Sequence, residues 1–168
     1  MYDYLAEELA TNDVIMFFHA DMYPSKDMDK KILSKLEKGT VVSATRIEPP
    51  LHPENGEKII RDFGMWPEPD IEEGWREDDF NKFVEECKEK YEGKITNGLF
   101  APWMMYKKAF MDIGGHDPRF ASAREDSDVF NRLVLGGFEL IQSWQSFVYH
   151  LTARGGQFQH GKLTKDHN

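Results

Sequence analysis

The sequence is short of several things, and each shortage narrows its class. There is one cysteine, Cys87, in 168 residues, which excludes an intrachain disulfide and fits a reducing, cytoplasmic setting. No apolar run is long enough to cross a bilayer and no signal-peptide pattern is present, so no transmembrane segment is expected. Basic residues are outnumbered, with 21 Lys and Arg against 30 Asp and Glu for a formal charge of −9. Without a basic stripe, nucleic acid is not an expected partner. An acidic protein still binds a small phosphorylated ligand where a cation separates the two sets of negative charge. Internal repeats and low-complexity tracts are also missing. What is present is 40% hydrophobic and 13% aromatic, enough to fold one domain around a sizeable core.

The organising stretch is Asp13 to Ser25. Val14-Ile15-Met16-Phe17-Phe18 is an unbroken apolar run, which suits a strand covered on both faces. It stops at His19-Ala20-Asp21, where residues two apart share a face. His19 and Asp21 are therefore expected to project together from the strand's carboxyl end, where open α/β sheets place their ligand crevice. An imidazole and a carboxylate there suit a divalent metal; the plainer alternative is a solvated polar strand end.

Around it, the spacing predicts an amphipathic helix over Tyr2 to Ala10 with Leu5 and Leu9 on one stripe. A helix capped by Ser25 runs to about Glu37, with Met28, Ile32, Leu33 and Leu36 inward. Thr40 to Ile47 is a second strand, parallel to the first if the helix is a right-handed crossover. Residues 48–77, rich in Pro and Gly, read as a lid-like loop in which Phe63, Trp66 and Trp75 pack at least part of the time. Asp78 to Tyr91 is a charged helix with Phe80, Phe83, Val84 and Cys87 inward. One or two short strands within Ile95 to Tyr106, a helix over Lys107 to Ile113, a turn at His116 to Phe120, a helix over Arg124 to Leu135 and a strand or hairpin over Phe138 to Tyr149, closing on His150, complete the domain. The expected class is α/β, a mixed but mostly parallel sheet flanked by helices over residues 1–155. Residues 156–168 read as a polar, mobile tail.

Arg124-Glu125-Asp126-Ser127-Asp128 is an acidic cluster at a helix start. Asp126 precedes Val129 and Phe130 by three and four residues, so it shares the stripe of Val129, Phe130, Leu133 and Val134 and points inward. A carboxylate held charged there by the helix dipole suits a general base, with ordinary helix capping as the alternative. His150 is the third element.

In this order the motifs resemble those of the GT-A glycosyltransferases, specifically the inverting family 2. His19-Ala20-Asp21 is similar to that family's Asp-x-Asp metal motif, and Ile113-Gly114-Gly115-His116-Asp117 to its Gly-Gly-Phe-Asp turn. Glu125-Asp126-Ser127-Asp128 is similar to its Glu-Asp-x-Asp helix, and Phe147-Val148-Tyr149-His150 to its strand closing on a metal-binding His. The resemblance spans most of Tyr2 to Gly155. It implies a GT-A-like, Rossmann-like fold in which Asp21 and His150, with His19 beside them, hold Mn²⁺ or Mg²⁺ against a nucleoside-diphosphate sugar, a UDP-sugar favoured. Asp126 would be the base that deprotonates a glycan or other hydroxyl acceptor for inverting transfer, and Glu125 would hold the acceptor or orient that base. Trp103, Met104, Arg154 and Asp128 would contact donor and acceptor.

His19 departs from the family's first Asp, and nitrogen ligation would shift preference toward Mn²⁺. The family's nucleobase-binding strand–helix–strand unit has one helix, Tyr2 to Ala10, in its place. The implied fold is thus N-terminally shortened, either a minimal or truncated enzyme or one whose nucleotide site is completed by a second copy or a partner chain. Two other readings compete. One is a non-catalytic, transferase-like module that binds a nucleotide or glycan. The other is a non-haem iron oxygenase, whose two-His-one-carboxylate triad His19, Asp21 and His150 also spell, although that chemistry usually needs a jelly roll.

Overall fold

The computed structural model describes residues 2–50, 57–64, 74–120 and 124–151, with the backbone of 158–159 and 162–163. In chain order, α1 (Tyr2–Tyr4) runs into a π-helical turn (Leu5–Leu9). There follow β1 (Val14–Phe17), β2 (Met22–Pro24), α2 (Met28–Leu33), β3 (Thr40–Glu48), β4 (Lys58–Ile60) and α3 (Glu77–Lys90). Then come β5 (Ile95–Asn97), β6 (Trp103–Tyr106), α4 (Lys107–Asp112), α5 (Glu125–Leu135), β7 (Glu139–His150), β8 (Phe158–Gln159) and β9 (Lys162–Leu163).

β3 and β7 form the spine of a seven-stranded sheet of order β1-β6-β3-β7-β2, with β4 also beside β3 and β5 beside β7. β3 is rich in β-branched residues, which pack well on a pleated surface, and its stretch from Val41 to Thr45 is buried without alternation, as both-face coverage requires. Successive residues of β7 feed opposite sides of the sheet. Val148 packs with Val42, Met104, Val129 and Leu133, whereas Phe147 and Tyr149 pack with Phe63, Phe80, Val84 and Cys87 under α3.

The class is mixed α/β, but the sheet is not mostly parallel. β3–β7 and β3–β4 are parallel, while β1–β6, β3–β6, β2–β7 and β5–β7 are antiparallel. The first two long apolar segments do run in the same direction, as a crossover demands, yet β6 inserts antiparallel between them. No local pattern announces such an insertion.

Other differences have local causes. Leu5 and Leu9 are exposed and Ala6 is the buried residue, because the N-terminal segment winds as a π turn rather than at 3.6 residues per turn. Ser25 does not cap α2; its buried hydroxyl accepts from the Phe147 amide at 3.3 Å, and the helix begins at Met28. Leu33 and Val134 face solvent. Within the segment read as a lid, β4 pairs with β3, and Phe63 is fully buried; Trp66 lies outside the described residues. In the tail, β8 and β9 pair with each other. Among the described residues no helix is long and apolar enough to cross a membrane.

Candidate functional site

The site is assembled at the C-terminal end of β7. From Thr40 to Ala44 the β3–β7 register advances evenly, then shifts so that Thr45 faces Phe147 rather than Trp144. The residues Trp144, Gln145 and Ser146 are looped out of the ladder, a bulge that sets the register of His150 beside Glu48. β2 then pairs antiparallel with Met22 opposite His150, which sets Asp21 against the same imidazole.

The contacts follow from that register. His150 Nδ1 lies 2.8 Å from Glu48 Oε1, and Nε2 lies 3.4 Å from Asp21 Oδ2. Glu48 is 2% exposed, and Lys58 from β4 holds its other oxygen at 2.5 Å. Arg46 Nη1 reaches Glu48 Oε1 at 3.4 Å, with its guanidinium over the Phe100 ring. Burial works against a charged Glu48, but hydrogen bonds to His150 and Lys58 and the Arg46 charge outweigh it and bring its pKa down to about 2. An ionised carboxylate only accepts, so the Nδ1 hydrogen belongs on His150 and points at Glu48. The His150 hydrogen bond lowers the Asp21 pKa against the opposing effect of burial. Burial opposes protonation of His150, while Asp21 and Glu48 favour it and raise its pKa.

A second group of side chains gathers at the first turn of α5. Asp126, in the first turn of α5, places Oδ2 4.0 Å from His19 Nε2 and Oδ1 3.7 Å from His116 Nε2. His116 Nδ1 is 2.7 Å from Asp3 Oδ1, and its backbone N–H donates to Asp3 Oδ2 at 3.0 Å. Gly115 has φ +64°, and a Cβ there would lie 3.0 Å from the Asp3 carboxylate, so glycine is what lets Asp3 close on the turn. Tyr2 is wedged between the histidines, its ring centroid 6.5 Å from that of His19 and 6.0 Å from that of His116. Burial raises the Tyr2 pKa, and Asp126, Asp21 and Glu125 raise it further. One phenol thus feels the carboxylates of both groups. Glu125 lines a cleft of about 410 Å³ with Tyr2, Asp3, His116 and Phe120, and its Oε2 is buried without a hydrogen-bond partner.

The sequence-based candidates divide accordingly. Asp21 meets His150, and Asp126 stays partly shielded from bulk water beside His19 and His116. His19 places Nε2 4.0 Å from Asp126 Oδ2, and among the described residues His19, Asp21 and His150 do not converge into a two-His-one-carboxylate triad. Trp103 and Met104 are core residues, 0% and 6% exposed, with Trp103 stacked on Phe17 at 3.9 Å in the sheet interior. Asp128 is also structural, pairing with Arg132, which donates to the Ile113 and Gly115 carbonyls at 2.6 Å. Arg154 lies outside the described residues.

Sequence reasoning missed Tyr2, Asp3, Glu48, Lys58 and His116. The alternation Arg46-Ile47-Glu48 at a strand end was the available signal for Glu48. His116 stood in a recognised turn, but its two carboxylate partners are 113 residues upstream and ten downstream.

Asp21 and His150 are the residues that could hold a divalent cation. His150 presents Nε2 toward Asp21 while Glu48 fixes the other nitrogen, the carboxylate–histidine arrangement that orients metal ligands. Among the described residues no three His, Cys, Asp or Glu side chains converge into a complete metal site. No protein-family model matches the chain, and no curated protein matches it.

Proposed function

We propose that the chain is a metal-dependent glycosyltransferase of GT-A type, moving a sugar from a nucleoside-diphosphate donor to a hydroxyl acceptor with inversion. The observation that carries this reading is the pairing of Asp21 with an imidazole whose far nitrogen is locked by a buried glutamate, with Asp126 set among histidines nearby. Asp21 and His150 would hold Mn²⁺ or Mg²⁺, which when bound neutralises the charge of the departing diphosphate. Asp126 takes the proton as the acceptor oxygen bonds to the anomeric carbon and the bond from that carbon to the diphosphate oxygen breaks. Glu125, with its unpaired buried oxygen beside the cleft, accepts a hydrogen bond from the incoming hydroxyl compound and orients it. A UDP-sugar is the favoured donor and a glycan the favoured acceptor.

The test is a thermal-shift titration followed by turnover. Mn²⁺ is expected to raise the melting temperature further when UDP is added, and Asp126→Asn to abolish sugar transfer and donor hydrolysis while keeping that shift. Absence of synergy between Mn²⁺ and any nucleoside diphosphate overturns the reading.

A further inference from the structure

The proposed metal and donor roles leave the pairing of Asp126 with His116, and of His116 with Asp3, unused. His116 is only 13% exposed at its side chain, and its Nε2 is buried without a hydrogen-bond partner. The nearest carboxylate oxygen is Asp126 Oδ1 at 3.7 Å, a separation that a small side-chain movement closes, as catalytic contacts commonly tighten on ligand binding. On the far side of the ring, Asp3 takes both the Nδ1 hydrogen and the backbone hydrogen of His116. Among the elements packed on this ring, α1 presents Tyr2 and Asp3, α5 presents Asp126 with Glu125 beside it, and β1 and α4 present Phe17 and Phe110. Arg132 holds the adjacent Gly115 carbonyl.

We infer that His116 is a positioning residue and proton relay for Asp126, receiving at Nε2 the proton that Asp126 takes up and passing its Nδ1 proton toward Asp3. The inference rests on Asp126 being the base of the proposed transfer. The proton balance is simple. The acceptor O–H bond breaks and its proton moves to Asp126. That proton then moves to the Nε2 lone pair of neutral His116, giving an imidazolium flanked by Asp3. Loss of the Nδ1 proton through Asp3, 39% exposed at its side chain, returns the ring to solvent equilibrium, and tautomer exchange resets it. The Asp126 contact, opposed by burial and aided by Asp3, raises the His116 pKa, so proton uptake from a carboxylic acid is downhill. The relay works when His116 is neutral, and turnover therefore climbs as pH rises through its titration.

Two arms test this. In the first, long-range ¹H–¹⁵N spectra follow the His116 imidazole through a pH titration of the full chain. Its midpoint is expected above the ordinary value, and both Asp126→Asn and Asp3→Asn should lower it. A midpoint that Asp126→Asn leaves in place overturns the relay. In the second, the pH profile of transfer or donor hydrolysis is compared between wild type and His116→Asn, with His116→Gln as the alternative should the first variant fold poorly. The wild-type acid limb should coincide with the His116 midpoint. The variant should move the limb to lower pH and reduce kcat by about tenfold or more, with the Mn²⁺–UDP thermal shift unchanged. A reduced kcat with an unmoved limb makes His116 merely structural and overturns the relay. Intact coupling in the spectra with no turnover from any donor removes the transferase reading and leaves the Asp3–His116–Asp126 coupling supported.

Discussion

Glu48 and His150 meet at 2.8 Å, a carboxylate 2% exposed against a histidine at the last position of the longest strand. The contact exists because the β3–β7 ladder slips after Ala44 and brings a residue from further along β7 into reach. Sheet register, rather than a loop, thus sets the tautomer of the candidate metal ligand.

The first prediction concerns that contact and acid stability. The folded pKa of Glu48 is depressed to about 2 from 4.5. A depressed carboxylate contributes stability above its unfolded pKa, and this is lost as pH falls through the window from about 4.5 toward 2. The shift corresponds to about 3 kcal/mol. Urea unfolding of wild type should show the loss across this window, and Glu48→Gln should flatten it. The same variant should lose roughly 3–5 kcal/mol near neutral pH, since it leaves Lys58 and Arg46 without their buried counter-charge. A wild-type urea midpoint that stays constant below about pH 5 would contradict the assignment.

A second prediction separates protons from metal at His150. Its folded pKa is raised, so its own contribution to stability is complete below the unfolded pKa and fades as pH rises through the folded one. Metal needs the neutral ring, so the Mn²⁺-induced rise in melting temperature should be small at about pH 6 and larger at about pH 8. His150→Ala and Asp21→Ala should each erase it. An equal rise at both pH values, or one that survives His150→Ala, would place the cation elsewhere.

How much of this was legible in the sequence depends on the range of the signal. Val14 to Phe17, Thr40 to Ile47 and α3 announced themselves through composition and periodicity, which are local. The placement of β6 between β1 and β3 was not legible, because a four-residue strand carries no information about which edge it joins. Asp21, Asp126 and His150 were found as ends of elements, where side chains meet a crevice. The burial of Trp103 and Met104 was not legible, because an aromatic strand near a site looks the same whether it lines the site or supports it. Glu48 and His116 acquire their roles from partners distant in the chain, which no short window contains.

A third prediction follows from the reassignment of Asp128. Its carboxylate steadies Arg132, which closes the carbonyls of Ile113 and Gly115. Arg132→Ala strips two carbonyls of a charged donor and should cost about 1–3 kcal/mol. Asp128→Ala should cost about 0.5–1 kcal/mol, in the range of exposed helical pairs and weak caps. Neither should alter the Mn²⁺–UDP thermal shift. A stable Asp128→Ala protein with a raised donor KM would return Asp128 to the ligand site.

The last prediction uses the turn that holds Asp3. Gly115 sits at φ +64°, and the nearest atoms to a Cβ built there are Cγ and Oδ2 of Asp3 at 3.0 Å. Gly115→Ala therefore carries two penalties, a backbone conformation that L side chains rarely adopt and a push against a short side chain with little freedom to retreat. A loss of about 1 kcal/mol or more in unfolding free energy is expected. The second penalty has its own signature. Displacing Asp3 removes one of the two carboxylates that favour the protonated His116 ring, so the His116 titration should shift to lower pH in Gly115→Ala, in the same direction as in Asp3→Asn. Combining the two substitutions should then add little to that shift, because each removes the same contact. Full additivity in the titration would mean that Gly115 shapes the turn without placing Asp3.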